Sequence, residues 1–308
     1  MGTTSEFNIV VTRIDRAGVK KACDLAESRI GALDKMLSVF EESSEVARIN
    51  NDNKKTAVVV PRDLFRLVER AKEFFALTQG AFDVTVGPLT GLWGFGSAKK
   101  TVPDASKIRE VLNRIGLDKI DLDRQGLKVI FKDPGIEMDF GGLAKGYAVD
   151  EAVRVLKDNR VTNGIVNIGG DLYCMGTNYS DKKWAIGVRD PENTGKNLVV
   201  LEITDGAIAT SGNYENFYIY ENKRYTHIID PRTGYTVTNE LESVTVIAED
   251  CATADALATA VFVLGERDGL GLIEQLPGIE CLLIAGSGPG RSLIMSSGME
   301  RFVRRDET

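Results

Sequence analysis

Apolar residues recur every third or fourth position at Val19, Cys23, Ala26, Ile30, Leu33 and Leu37, which predicts an amphipathic helix over 17–37. Upstream, residues 6–14 alternate and are β-branched, as a strand is. Ser43-Ser44-Glu45-Val46 predicts a helical turn that ends near Asn50. Pro61 suits the first turn of a helix, and 62–78 keeps the helical spacing. The stretch 80–96 breaks this pattern. Gly80 to Leu89 and Gly91 to Gly96 are rich in glycine and aromatics, so the segment reads as a loop folded over something and not as a helix or regular strand. Residues 98–107 read as surface linker and 105–115 as a short helix.

From 127 onward strands dominate. The pattern predicts strands at 127–131 and 136–140, then a helix ending near Lys157. Further strands are predicted at 164–168, 184–189, 198–203, 207–210, 217–220, 225–229 and 243–248. Residues 252–264 and 266–275 read as helices, and 280–285 and 292–296 as strands joined by a hairpin turn at Gly286–Gly290. Strands and helices are segregated in places and do not alternate throughout, so the fold class is α+β.

Composition narrows the function more than the fold. With 308 residues, 43% hydrophobic and 27% charged, the chain can bury a sizeable core as one large domain or two packed lobes. Its net charge is −7 with no basic run, which argues against a nucleic-acid face. An anionic substrate would need help from a metal, a few cations or helix N-termini. Cys23, Cys174, Cys251 and Cys281 are scattered and read as free thiols. No stretch reaches the ~18 consecutive apolar residues of a membrane span. No export signal or lipid-attachment cysteine is read at the start, which leaves two options: an intracellular protein, or one that has lost an export segment.

Four segments carry residues suited to chemistry. Met138-Asp139-Phe140-Gly141-Gly142-Leu143-Ala144-Lys145-Gly146 runs from strand to glycine pair to helix, so bare backbone can approach a phosphate; a tight turn with a capping aspartate reads equally well. Asn167-Ile168-Gly169-Gly170-Asp171 reads as a β-turn or as part of a site. Thr210-Ser211-Gly212 is followed by Arg224 to Gly234, which contains His227, the only imidazole and the leading candidate if the reaction needs a base near neutral pH; a purely structural histidine is the other reading. In Ala252 to Ala260, Asp255 and Thr259 share a face of an apolar helix. An unpaired carboxylate there is costly to bury, and a hard cation such as Mg2+ would remove the cost; an acid near the helix N-terminus that meets the dipole is the other reading.

In order along the chain, Gly80–Pro88, Asp139–Asp150, Asn167–Asp171, Ile208–Gly212, His227–Gly234 and Ala254–Thr259 resemble the motifs of the ApbE family of FAD:protein FMN transferases. Met1-Gly2-Thr3 resembles the opening of the mature family domain. The resemblance implies a single domain over 1–308, built of two packed lobes with mixed or antiparallel sheets flanked by helices and an FAD cleft between them. It implies FAD contacts from Met1, Phe40, Ala81, Phe82, Asp83, Asp139, Lys145, Ser211 and Ile229, with Phe40 standing where many members have tyrosine. It implies Mg2+ held by Asp255 and Thr259, with backbone oxygen from Gly142 and Ala258.

The implied reaction moves FMN from FAD to a threonine or serine hydroxyl of an acceptor protein, with His227 as base and AMP leaving. Asp230 is a candidate to orient the imidazole. The acceptor would be a protein such as a membrane-bound redox-complex subunit, which implies an extracytoplasmic, periplasmic location, with a lipid anchor in a full-length form as one option. Two alternatives stay open: a metal-dependent FAD pyrophosphatase releasing FMN and AMP, and a non-catalytic flavin-binding protein.

Overall fold

A computed structural model describes residues 2–11, 15–52, 56–95, 102–193, 195–214 and 216–305. In chain order the helices are α1 (Arg16–Leu37), α2 (Glu45–Asn51), α3 (Arg62–Leu77), α4 (Gly87–Trp93), α5 (Ala105–Leu112), α6 (Ala144–Asp158) and α7 (Cys251–Ile273). The strands are β1 (Ser5–Ile9), β2 (Ala57–Val59), β3 (Ile120–Asp123), β4 (Lys128–Phe131), β5 (Gly164–Ile168), β6 (Asp171–Met175), β7 (Trp184–Arg189), β8 (Asn197–Ile203), β9 (Gly206–Gly212), β10 (Phe217–Tyr220), β11 (Lys223–Thr226), β12 (Leu241–Ala248), β13 (Glu280–Ala285) and β14 (Ser292–Met295). The architecture is α+β, and every named strand pair is antiparallel. Among the described residues no helix is long and apolar enough to cross a membrane. All four cysteines are free thiols.

The chain divides into two compact units. The first comprises 1–33, 143–212 and 240–308. Its centre is a seven-stranded sheet in the order β1-β5-β6-β9-β12-β13-β14. Helices α6 and α7 pack on this sheet. The β7–β8 ribbon joins Leu172, Ile208, Ile247 and Leu282 in one apolar cluster through Trp184 and Leu201. Central strands are therefore buried on both faces, which is why β12 and β13 read as near-continuous apolar runs. Helix α7 is buried nearly all round and breaks its helical dihedrals at Gly265 (φ 80°), where the sequence places the boundary between two helices.

The second unit comprises 34–142 and 213–239. It holds the β2-β4-β3 sheet and the β10–β11 hairpin. An apolar cluster joins Leu89 and Trp93 of α4 to Ile108 of α5 and to Tyr218 and Ile229. The Trp93 indole N–H donates to the Gly234 carbonyl at 2.8 Å.

Three local expectations are corrected. The glycine-rich 80–96 segment contains α4: Gly87 and Pro88 open it, Gly94 closes it in the left-handed region (φ 71°), and Gly91 is accommodated within it. Residues 136–140 form no ladder strand. Glu137 makes only an isolated parallel bridge to Val86 and Asp139 N–H donates to the Val84 carbonyl, while the Asn50 side chain donates to the Met138 carbonyl at 2.8 Å and accepts from its N–H at 2.9 Å. The 225–229 strand ends at Thr226, after which Val237 N–H donates to the Ile228 carbonyl and Ile229 bridges Thr236. The 98–107 linker lies partly outside the described residues.

Candidate active site

In the first unit, three charged side chains converge. Lys145 in the first turn of α6 ion-pairs with Asp171 at the start of β6, and its Nζ stands 3.3 Å from Asp255 Oδ1 on α7. Asp171 is 2% exposed and Asp255 3% exposed. The other Asp255 oxygen accepts the Gly146 N–H at 3.1 Å. The carboxylate that sequence alone marks as unpaired thus has a cation and a main-chain donor. Two carboxylates and one ammonium leave the cluster with one net negative charge.

Burial pulls the Lys145 ammonium down, but Asp255 and Asp171 outweigh it and hold Lys145 above the usual lysine range. Burial and the Asp255 charge push the Asp171 carboxyl up, against the opposing pull of Lys145 and of the Thr210 N–H.

Local structure explains the precision of this cluster. Gly146 lets α6 approach α7 so closely that a Cβ there would lie 2.3 Å from the Cys251 carbonyl oxygen. The N-terminus of α7 is held twice: Asp250 caps the Thr253 N–H at 2.9 Å, while Asp150 of α6 accepts from Cys251 and Ala252 at 2.7 and 2.9 Å. Both fix the height of Asp255. One turn further on, Thr259 Oγ1 lies 3.3 Å from Ser211 Oγ on β9.

This donor set suits a hard cation such as Mg2+. One buried carboxylate and a hydroxyl one helical turn away are oxygen donors, and Mg2+ takes few protein carboxylates and keeps waters or substrate phosphates. Among the described residues no three His, Cys, Asp or Glu side chains gather as a metal cage. Gly142, half-buried in the turn two residues before α6, has a carbonyl outside any helical ladder. The expected Ala258 ligand fits poorly, because its carbonyl lies inside the α7 ladder and is directed at the N–H four residues on.

In the second unit, His227 follows β11 directly. Its N–H donates to the Asn216 carbonyl at 3.0 Å, and its Nδ1 lies 2.9 Å from the same oxygen. A carbonyl only accepts, so Nδ1 carries the proton of the neutral ring and the lone pair falls on Nε2. The expected orienter, Asp230, is engaged elsewhere: it accepts from Arg232 Nε at 2.9 Å and Nη2 at 3.0 Å. The Asn216 main chain takes that role.

The remaining expected contacts divide by exposure. Phe40 is 78% exposed, as a stacking ring must be before it meets a partner. Ala81 and Phe82 are buried, with Phe82 edge-on to Phe74. The Asp83 carboxylate is 5% exposed and accepts from Thr85 N–H and Oγ1, both at 2.7 Å, and from Leu117 N–H at 3.2 Å. Burial raises it to about 6. Asp139 accepts from the Gly141 N–H at 2.9 Å, the tight-turn alternative read from sequence, and burial raises its carboxyl. Ile229 is buried in the cluster around Trp93. Met1 lies outside the described residues.

Sequence reasoning missed two partners. Asp171 left a trace, an acid after a glycine pair at the head of an apolar strand; the Asn216 carbonyl left none, since any residue there supplies one.

Known proteins resemble the chain along nearly its whole length. It is 34% identical over 316 aligned residues to the Vibrio cholerae protein named FAD:protein FMN transferase, covering 99% of this chain and 91% of that one. The protein of the same name from Treponema pallidum is 34% identical over 284 residues, 87% of this chain and 77% of the relative. The crystal structure of the ApbE protein of Thermotoga maritima superposes with a TM-score of 0.88 at 33% identity, covering 99% and 97% of the two chains. The flavin transferase ApbE of Vibrio cholerae gives 0.85 at 30% identity, covering 98% and 96%. A sequence model of the ApbE family matches residues 1–283, and the chain belongs to that family.

Proposed function

We propose that the chain is an FAD:protein FMN transferase that moves FMN from FAD to a threonine or serine hydroxyl of an acceptor protein. Family membership supports the reaction class. The observation that carries the chemistry is the Nδ1 contact of His227 with the Asn216 carbonyl, because it presents Nε2 as the basic nitrogen. His227 takes the proton of the acceptor hydroxyl. That oxygen forms a bond to the riboflavin-side phosphorus as the bridging P–O bond breaks, and the electron pair leaves on AMP. General-base help of this kind contributes ~10²–10⁴-fold.

Asp255, Thr259 and the Gly142 carbonyl are the residues that would hold Mg2+, which when bound neutralises phosphate charge. Lys145 supplies a fixed positive charge beside the carboxylates, and Phe40 an exposed ring on which a flavin or adenine can stack. The acceptor is a flavin-carrying protein such as a redox-complex subunit, and we place the reaction outside the cytoplasm, a location that cell fractionation would test.

Incubation with FAD, Mg2+ and a flavin-accepting domain should yield a covalently fluorescent acceptor, and EDTA should prevent it. No labelling by the unaltered protein, or full labelling by His227→Ala, defeats the assignment. AMP and free FMN appearing at a comparable rate without acceptor would indicate a pyrophosphatase instead.

A further inference from the structure

Asp171 has no role in the reaction just described, yet it is among the most deeply buried charges of the chain. It sits on β6, follows the Gly169-Gly170 turn, accepts the Thr210 N–H and ion-pairs with Lys145. Every residue of β6 is buried, so this anion is fixed in position by its strand. Lys145 faces two carboxylates with one ammonium. Asp255 Oδ1, at 3.3 Å, is its second partner, and Asp255 Oδ2 is already steered by Gly146.

The arrangement has an electrostatic consequence. Lys145 and Asp171 together are a neutral pair, so the charge that Asp255 presents to a cation is uncancelled. Without Asp171, the ammonium would have Asp255 as its sole carboxylate partner in this cluster. A divalent cation would then meet a net-neutral ion pair in place of a net negative cluster, in a poorly solvated site where such terms are large.

We propose that Asp171 is a positioning residue for the metal: it retains the Lys145 ammonium so that the Asp255 carboxylate stays available to a divalent cation. The inference rests on the assignment of Asp255 as a metal ligand made above.

The test is Mn2+ affinity, read by electron paramagnetic resonance of the free ion with neither FAD nor acceptor present. Asp171→Asn keeps the shape and removes the charge; it should weaken Mn2+ binding by about tenfold or more. Lys145→Met added to Asp171→Asn restores a neutral surrounding and should return affinity to within about threefold of the unaltered protein. Lys145→Met alone should bind Mn2+ at least as tightly as the unaltered protein, and this arm stands if Asp171→Asn does not fold. Unchanged affinity in Asp171→Asn, a double variant as weak as the single, or weaker binding in Lys145→Met overturns the proposal. If Asp255→Asn binds Mn2+ as well as the unaltered protein, the metal assignment itself fails and takes this proposal with it.

Discussion

Gly146→Ala should damage the charged cluster without touching a charged residue. The new Cβ would lie 2.3 Å from the Cys251 carbonyl oxygen, 2.7 Å from its carbon and 2.8 Å from Ala252 Cα. All three are backbone atoms, and ordinary contact begins at 3.4 Å. Helix α7 cannot easily retreat, because Asp150 and Asp250 hold its first turn. Helix α6 must therefore back away by roughly 1 Å, the gap between these distances and normal contact. That displacement carries the Gly146 N–H, now 3.1 Å from Asp255, beyond hydrogen-bonding range.

Overpacking costs about 1–3 kcal/mol, and a lost hydrogen bond to a charged group about 1.5–3 kcal/mol. The gain from replacing a helical glycine by alanine returns about 1 kcal/mol. The net expectation is a loss of about 2–4 kcal/mol in the first unit. Urea unfolding followed by fluorescence in a Trp93→Phe background, where Trp184 of the first unit alone reports, would measure it. Gly31→Ala is the control: it lies within α1, nothing approaches its Cβ within 4 Å, and it should gain about 0.5–1 kcal/mol. Equal unfolding midpoints for Gly146→Ala and the unaltered protein would refute the packing argument.

Three other outcomes follow from the described contacts. Asp150→Ala removes two acceptors from the first turn of α7 and should lower stability by about 2 kcal/mol, read as a lower Tm. Asp83 has a folded pKa of about 6 against an ordinary 3.8, so its contribution to stability is fully present below the lower value and is lost as pH rises through the upper. Relative to Asp83→Asn, the unaltered protein should therefore gain about 3 kcal/mol between pH 7 and pH 3.5, and a pH-independent difference in denaturation would sink the argument. Trp93→Phe leaves the Gly234 carbonyl without its indole donor and should cost about 1–3 kcal/mol, measured by thermal denaturation.

The parts of the fold legible in sequence are those where one periodicity governs. The 3.6-residue spacing marked α1 and α3, and the two halves of α7 were separable at Gly265 because glycine there leaves the helical region. The 136–140 segment alternates as a strand does, but its main-chain pairing is a single bridge to Val86 and a bond to the Val84 carbonyl, and Met138 is held by the side chain of Asn50, 88 positions away in sequence, of which local pattern carries no trace. The site was legible as a set of residue types and not as pairings. Asp255 was marked by its apolar helix, whereas its link to Lys145 depends on how closely α6 and α7 approach. His227 was marked by being the only imidazole, whereas its orienting partner is main chain.

That last pairing bears on how freely the protein can diverge. Where a side-chain carboxylate fixes a histidine, one substitution in that carboxylate is enough to undo the tautomer. Here the fixing oxygen belongs to the peptide chain at Asn216, and every amino acid supplies it. Position 216 can drift without altering which ring nitrogen carries the proton. The constraint instead falls on the length and pairing of the β10–β11 hairpin, so insertions and deletions there, more than substitutions, should separate active from inactive relatives.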